Sequence, residues 1–204
     1  REVRAELERR KQAPPAELIR VQAAAAYRQG AGDEAMALSQ EVLARAPLPP
    51  ETATRAWYIR GAVSADRGDA QGLAQALAAI PPSTRPDQEA DRHELAGRAA
   101  VLAGDNGRAA VEFEQSADQR RLALDYRGMA RALSFAGDAV LRQGRTEEAA
   151  VLFLRAGRSA LLQGDAATGR TLLDRADSLA KQSSAASVRA EIDRVRKAAA
   201  ASKS

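Results

Sequence analysis

Apolar side chains recur along this chain at intervals of three and four residues, the spacing that lines one face of a helix. The clearest run is Leu122, Tyr126, Met129, Leu133, Ala136 and Val140, which predicts one long helix over residues 118–143. Further helices are expected near 146–163 and 166–181. A last one, with Val188, Ile192 and Val195 on one side, caps the array and frays into a polar tail. Residues 1–12 read as a charged helix or linker whose apolar grip is limited to Val3 and Leu7.

Proline and glycine divide this helical pattern. All eight prolines lie before residue 87, in three groups that open at Pro14, Pro47 and Pro81, 33 and 34 residues apart. Proline is tolerated at a helix start and excluded from its interior, so each group marks a boundary between helical hairpins. Glycine turns at Gly30, Gly68, Gly104, Gly144 and Gly164 split the units into paired helices. Those turns are 38, 36, 40 and 20 residues apart, so the later helices are expected to be longer or irregularly paired.

Composition agrees with the pattern. Hydrophobic residues make up 45% of the 204 residues but aromatics only 3%, and the apolar content is mostly alanine and leucine. These favour closely packed helices over strands, so the class is all-α. With no cysteine, disulfides, thiolate catalysis and cysteine-ligated metals are excluded. The most apolar stretch, 151–162, is interrupted by arginine and shorter than the ~20 residues that span a bilayer. The formal charge of +4 is unevenly placed: residues 1–12 carry +2, residues 181–204 carry +4, and the body between them carries −2. The high isoelectric point therefore reports basic ends, and a body lacking a continuous positive field argues against nucleic acid as a partner.

The hairpin period resembles that of tetratricopeptide repeats, and the family pattern can be followed residue by residue. With Gly30 at the inter-helix turn, Ala35 takes the small position of the second helix and Pro47 the closing proline. Trp57 and Gly61 take the tryptophan and glycine positions of the next unit, where Arg60 and Ser64 stand in place of leucine and tyrosine. Gly97, Gly104, Ala109 and Phe113 form a third set, and Gly137, Gly144, Ala149 and Phe153, followed by Ala156, a fourth. The resemblance covers roughly residues 16 to 158. It implies a right-handed superhelical array of antiparallel helix hairpins, about ten helices in all. Residues 13–181 would form the repeat domain and 182–204 a capping helix and basic tail. Gly61, Gly97, Ala109, Gly137 and Ala149 would sit where paired helices touch.

The resemblance also implies a concave groove lined by the first helices of the hairpins, at Arg20, Tyr27, Arg28, Tyr58, Arg98, Val101, Arg131, Asp138 and Arg142. This mixture of aromatic, aliphatic and arginine side chains suits a peptide or helix with some acidic content. The family's chaperone-binding carboxylate clamp uses groove asparagines, whereas the single asparagine here, Asn106, lies in a turn.

Candidate chemistry is sparse. Residues 30–35 match the glycine pattern of a dinucleotide fingerprint, but that motif needs a preceding strand, and VQAAAAYRQ is helical, so an inter-helix turn is expected. The only histidine, His93, lies in DRHEL and is expected on the surface. Glu147 and Glu148 fall in the first turn of a helix, where negative charge complements the dipole. No catalytic residues, cofactor or metal are expected.

These observations suggest a scaffold or adaptor that binds a protein or peptide, with the helical accessory domain of a larger enzyme or regulator as the alternative. A start at arginine and a charged leading segment suggest a bacterial envelope assembly or secretion component, such as a lipoprotein, that meets the membrane only through a segment outside these residues. A cytoplasmic adaptor is the alternative, and the oligomeric state is open.

Overall fold

The computed structural model describes residues 14–45 and 47–201; the leading segment at 1–12 and the last residues of the tail lie outside them. The described residues form ten helices and no strand, in two compact units divided between Ser83 and Thr84. Within each unit neighbouring helices pack against one another in sequence order, as in a helical solenoid.

Unit 1 contains α1 (Ala16–Arg28), α2 (Gly32–Leu43), α3 (Pro50–Asp66) and α4 (Ala70–Ala78). Proline opens two of them, with Pro15 and Pro49 at the N-caps of α1 and α3. Gly30 and Gly68 turn the chain with positive φ, so the glycine pattern at 30–35 is a helix-to-helix turn. Ile19, Val42 and Ala56 form a buried cluster, against which Leu38, Leu43 and Leu48 pack. Burial of such side chains stabilises each helix by about 1.5–3 kcal/mol per large residue, which short isolated helices lack.

Unit 2 contains α5 (Pro86–Leu102), α6 (Asn106–Leu122), α7 (Tyr126–Arg142), α8 (Thr146–Leu162), α9 (Ala166–Gln182) and α10 (Ala186–Ala201). From α5 to α9 every helix has 17 residues. Each is followed by a three-residue turn whose middle residue is left-handed: Gly104, Leu124, Gly144, Gly164 and Ser184, at intervals of 20. In each turn the next amide donates back across the helix end, as Asp105 N–H does to Ala100 O at 2.9 Å and Asp125 N–H to Arg120 O at 2.9 Å. Asp105, Asp125 and Asp165 then cap the following helices by accepting from the amides of Arg108, Gly128 and Thr168.

This corrects the expected helix over 118–143, because the chain turns at 123–125 and the apolar stripe runs across the break. Leu124 adopts φ 56° without glycine, so the usual sequence marker is missing. The 20-residue interval between Gly144 and Gly164 is the rule of the unit, and the 40-residue interval is two helices with the Leu124 turn between them. The hairpin period here is therefore 40 residues, whereas the proline spacing belongs to unit 1.

Small residues let consecutive helices approach. Gly97 faces Phe113, Gly137 faces Phe153 and Gly157 faces Leu173, where an added Cβ would come within 2.7, 2.9 and 2.9 Å. Ala109 and Ala149 are fully buried in the same core. Position along the helix sets this pairing: a small residue late in one helix receives a large one from the middle of the next.

Candidate protein-binding face

The core of unit 2 contains charge. Asp91 and Glu94 are one turn apart on α5, on the same side as Leu95 and Ala90, so folding carries them inward. Arg120 comes from the end of α6, and its Nη2 donates to Asp91 Oδ1 at 2.9 Å and Glu94 Oε2 at 3.0 Å. Its Nη1 donates to Asp125 Oδ2 at 2.7 Å, while Asp125 Oδ1 accepts from the Gly128 amide at 2.8 Å. One carboxylate thus caps α7 and holds the arginine that ties α6 to α5.

Glu94 has no solvent exposure, and two more arginines reach it. Arg131 Nη2 of α7 donates to Oε2 at 2.8 Å and Arg98 Nη2 to Oε1 at 3.3 Å. Burial alone would raise its pKa, but the positive charges of Arg131, Arg120 and Arg98 overcome it and lower the value to about 2. The carboxylate is therefore ionised at neutral pH and orients its arginines. Arg98 is held over Phe135, 4.9 Å from the ring centroid, and Phe135 packs on Phe113 with centroids 5.2 Å apart. Arg131 keeps 39% of its side chain exposed, so one end of this network is presented to solvent.

The same face continues to α9, where Arg175 pairs with Asp138 of α7. Between α7 and α9 lies a cavity of about 290 Å³, walled by Arg127, Arg131, Ser134, Phe135, Thr168 and Leu172 among others. Its lining combines an aromatic, an aliphatic, two arginines and the Asp165 carboxylate near Arg127, a set in which Arg131 can meet a carboxylate next to an apolar side chain.

The groove residues inferred from the repeat resemblance divide between the units. Arg98, Arg131 and Asp138 do lie together on the α5–α7–α9 face, though Arg98 and Arg131 are engaged by Glu94. Val101 packs against the core, and Arg142 is exposed at the last residue of α7. In unit 1, Arg20 pairs with Glu17, Arg28 is exposed at the end of α1, and Tyr27 borders a separate cavity with Val63 and Arg67. Tyr58 is buried, with only 8% of its surface exposed.

His93 also departs from expectation. Its side chain is 15% exposed and its Nδ1 lies 2.8 Å from Glu112 Oε2, which bridges α5 and α6. Sequence reasoning missed Glu94, Asp91, Arg120 and Phe135 altogether. The signal available was the placement of Asp91, Glu94 and Arg98 at intervals of three and four along α5, in step with its alanines and leucine.

Among the described residues no group of three or more His, Asp or Glu is placed to hold a metal ion, and no helix is long and apolar enough to cross a membrane. Comparison of the sequence with protein-family models and with curated proteins gives no match.

Proposed function

We propose that the chain is a protein-interaction scaffold of tetratricopeptide-like character, and that the α5–α7–α9 face of unit 2 receives a short acidic segment of a partner protein. The observation that carries this reading is the cavity between α7 and α9, where Arg131 is held by the buried Glu94 and stands beside Phe135. A fixed guanidinium loses little conformational freedom on binding a carboxylate, so pre-organisation favours recognition over catalysis. The one hydroxyl–carboxylate pair described at the cavity wall, Thr168 Oγ1 donating to Asp165 Oδ2 at 2.8 Å, belongs to the N-cap of α9.

Placement in a bacterial envelope assembly belongs to the same proposal. Fractionation of the native protein against periplasmic, membrane and cytoplasmic markers tests it.

Binding is tested by fluorescence anisotropy with a labelled peptide of alternating glutamate and leucine that contains proline and stays extended. The expected result is saturable, salt-sensitive binding, weakened about tenfold in Arg127→Glu, an exposed position whose reversal leaves the buried network intact. Equal binding by wild type and variant contradicts the assignment.

A further inference from the structure

Unit 2 contains a second and larger opening. A cleft of about 880 Å³ lies between the end of α8, the first half of α9 and the last turns of α10, and it shares no lining residue with the cavity described above. Its apolar walls come from Leu161 and Leu162 of α8, Leu173 of α9, and Val195 with the alanines at 198–200 of α10.

The cleft follows from how α10 is held. The buried residues of α10 are Val188 and Ile192, both in its first half. Beyond them the helix offers alanine to the cleft, and Leu162 stands at the opening with 70% exposure, an unfavourable place for a large apolar side chain in water. Elsewhere in this unit Gly97, Gly137 and Gly157 each receive a bulky side chain from the next helix, as Gly137 receives Phe153. A helix cylinder about 10 Å across fills such a volume with roughly two turns. The volume and the apolar walls thus suit one more helix.

Charge selects which helix. Arg158, Arg170 and Arg196 border the cleft, and Asp174 is the acidic residue among its walls, with Asp177 and Asp193 also within 4 Å of Arg196. Arg196 is engaged by Asp174 at 2.7 Å, and Arg158 is 3.5 Å from Glu191. Arg170 makes no ion pair with any described residue.

We propose that this cleft docks an amphipathic helix of a partner protein, which inserts leucine-sized side chains between α8, α9 and α10 and sets an acidic residue against Arg170. This surface is separate from the α5–α7–α9 face and stands or falls independently of it.

The test uses the full chain and three fluorescent probes. The first is a helix-forming peptide of about four turns with leucines on one face and glutamates flanking them. The second has lysine in place of each glutamate, and the third is cis-parinaric acid, an anionic acyl chain without a peptide. The glutamate peptide is expected to saturate the protein and the lysine peptide to bind about tenfold more weakly. Leu162→Glu and Arg170→Glu, both at exposed positions, should keep the wild-type melting curve and lose that binding. Arg170→Glu should regain affinity for the lysine peptide. Absence of saturable binding, equal affinity for both peptides, or retained binding in both variants overturns the proposal. So does preference for parinaric acid, which assigns the cleft to lipid, or concentration-dependent dimerisation abolished by Leu162→Glu, which assigns it to a second copy.

Discussion

Gly137 and Phe153 meet so closely across α7 and α8 that a Cβ on the glycine would lie 2.9 Å from the ring. The ring is fully buried and lies under the Arg175 guanidinium, 4.0 Å from its centroid. It has nowhere to move. Gly137→Ala should therefore destabilise the protein by about 1–3 kcal/mol, although alanine is intrinsically the better helix former. Gly107→Ala is the control, since its Cβ would meet Asp105 at an ordinary 3.6 Å and should leave stability unchanged or slightly raised. Urea titration of both variants decides: equal midpoints would show that the glycine is not required by packing.

The left-handed turns make a second prediction of opposite sign. Leu124 occupies φ 56° with 70% of its surface exposed, while Gly104, Gly144 and Gly164 hold the equivalent places. A side chain there costs about 1–2 kcal/mol in backbone strain, part of which glycine gives back through its freer unfolded chain. Leu124→Gly should stabilise by about 0.5–1 kcal/mol, and Gly144→Leu should destabilise by about 1 kcal/mol. Thermal melts of the two variants moving in the same direction would contradict this account of the turns.

Acid sensitivity should centre on Glu94. Its folded pKa is lowered from the ordinary 4.5 to about 2, so its contribution is complete above the ordinary value and is lost as pH falls from there toward 2. At neutral pH, Glu94→Gln leaves three arginines facing a neutral group and should cost about 3–5 kcal/mol. Between pH 5 and pH 2 the variant should lose less stability than wild type, and the two curves should converge. Parallel curves would mean that the carboxylate is not what the arginines stabilise.

The helical class was legible because alanine and leucine recur at helical intervals and because three turns of unit 2 carry glycine followed by a polar residue. The period was not legible at Leu124 and Ser184, where the backbone takes the glycine conformation without the glycine. Once those turns are placed, the sequence is regular, with 17-residue helices and 20-residue steps. The proposed binding face was legible only in part. Arg98, Arg131 and Asp138 come from the repeat resemblance, but a charged residue on a buried stripe reads like any surface charge until its partners are known. Glu94 meets arginines 26 and 37 residues away, on α6 and α7, and no local pattern announces such contacts. Tyr58 is buried for the converse reason, since an aromatic at a groove position is as readily drawn into the core.

The scaffold reading is tested most directly by titrating the ¹⁵N-labelled chain with the extended glutamate–leucine peptide and following its amide resonances. The shifts should concentrate at 127–138 and 165–175, around the cavity between α7 and α9, and should disappear in Arg127→Glu. Unperturbed resonances in those segments, or shifts that persist undiminished in the variant, would contradict the assignment of this face as the binding surface.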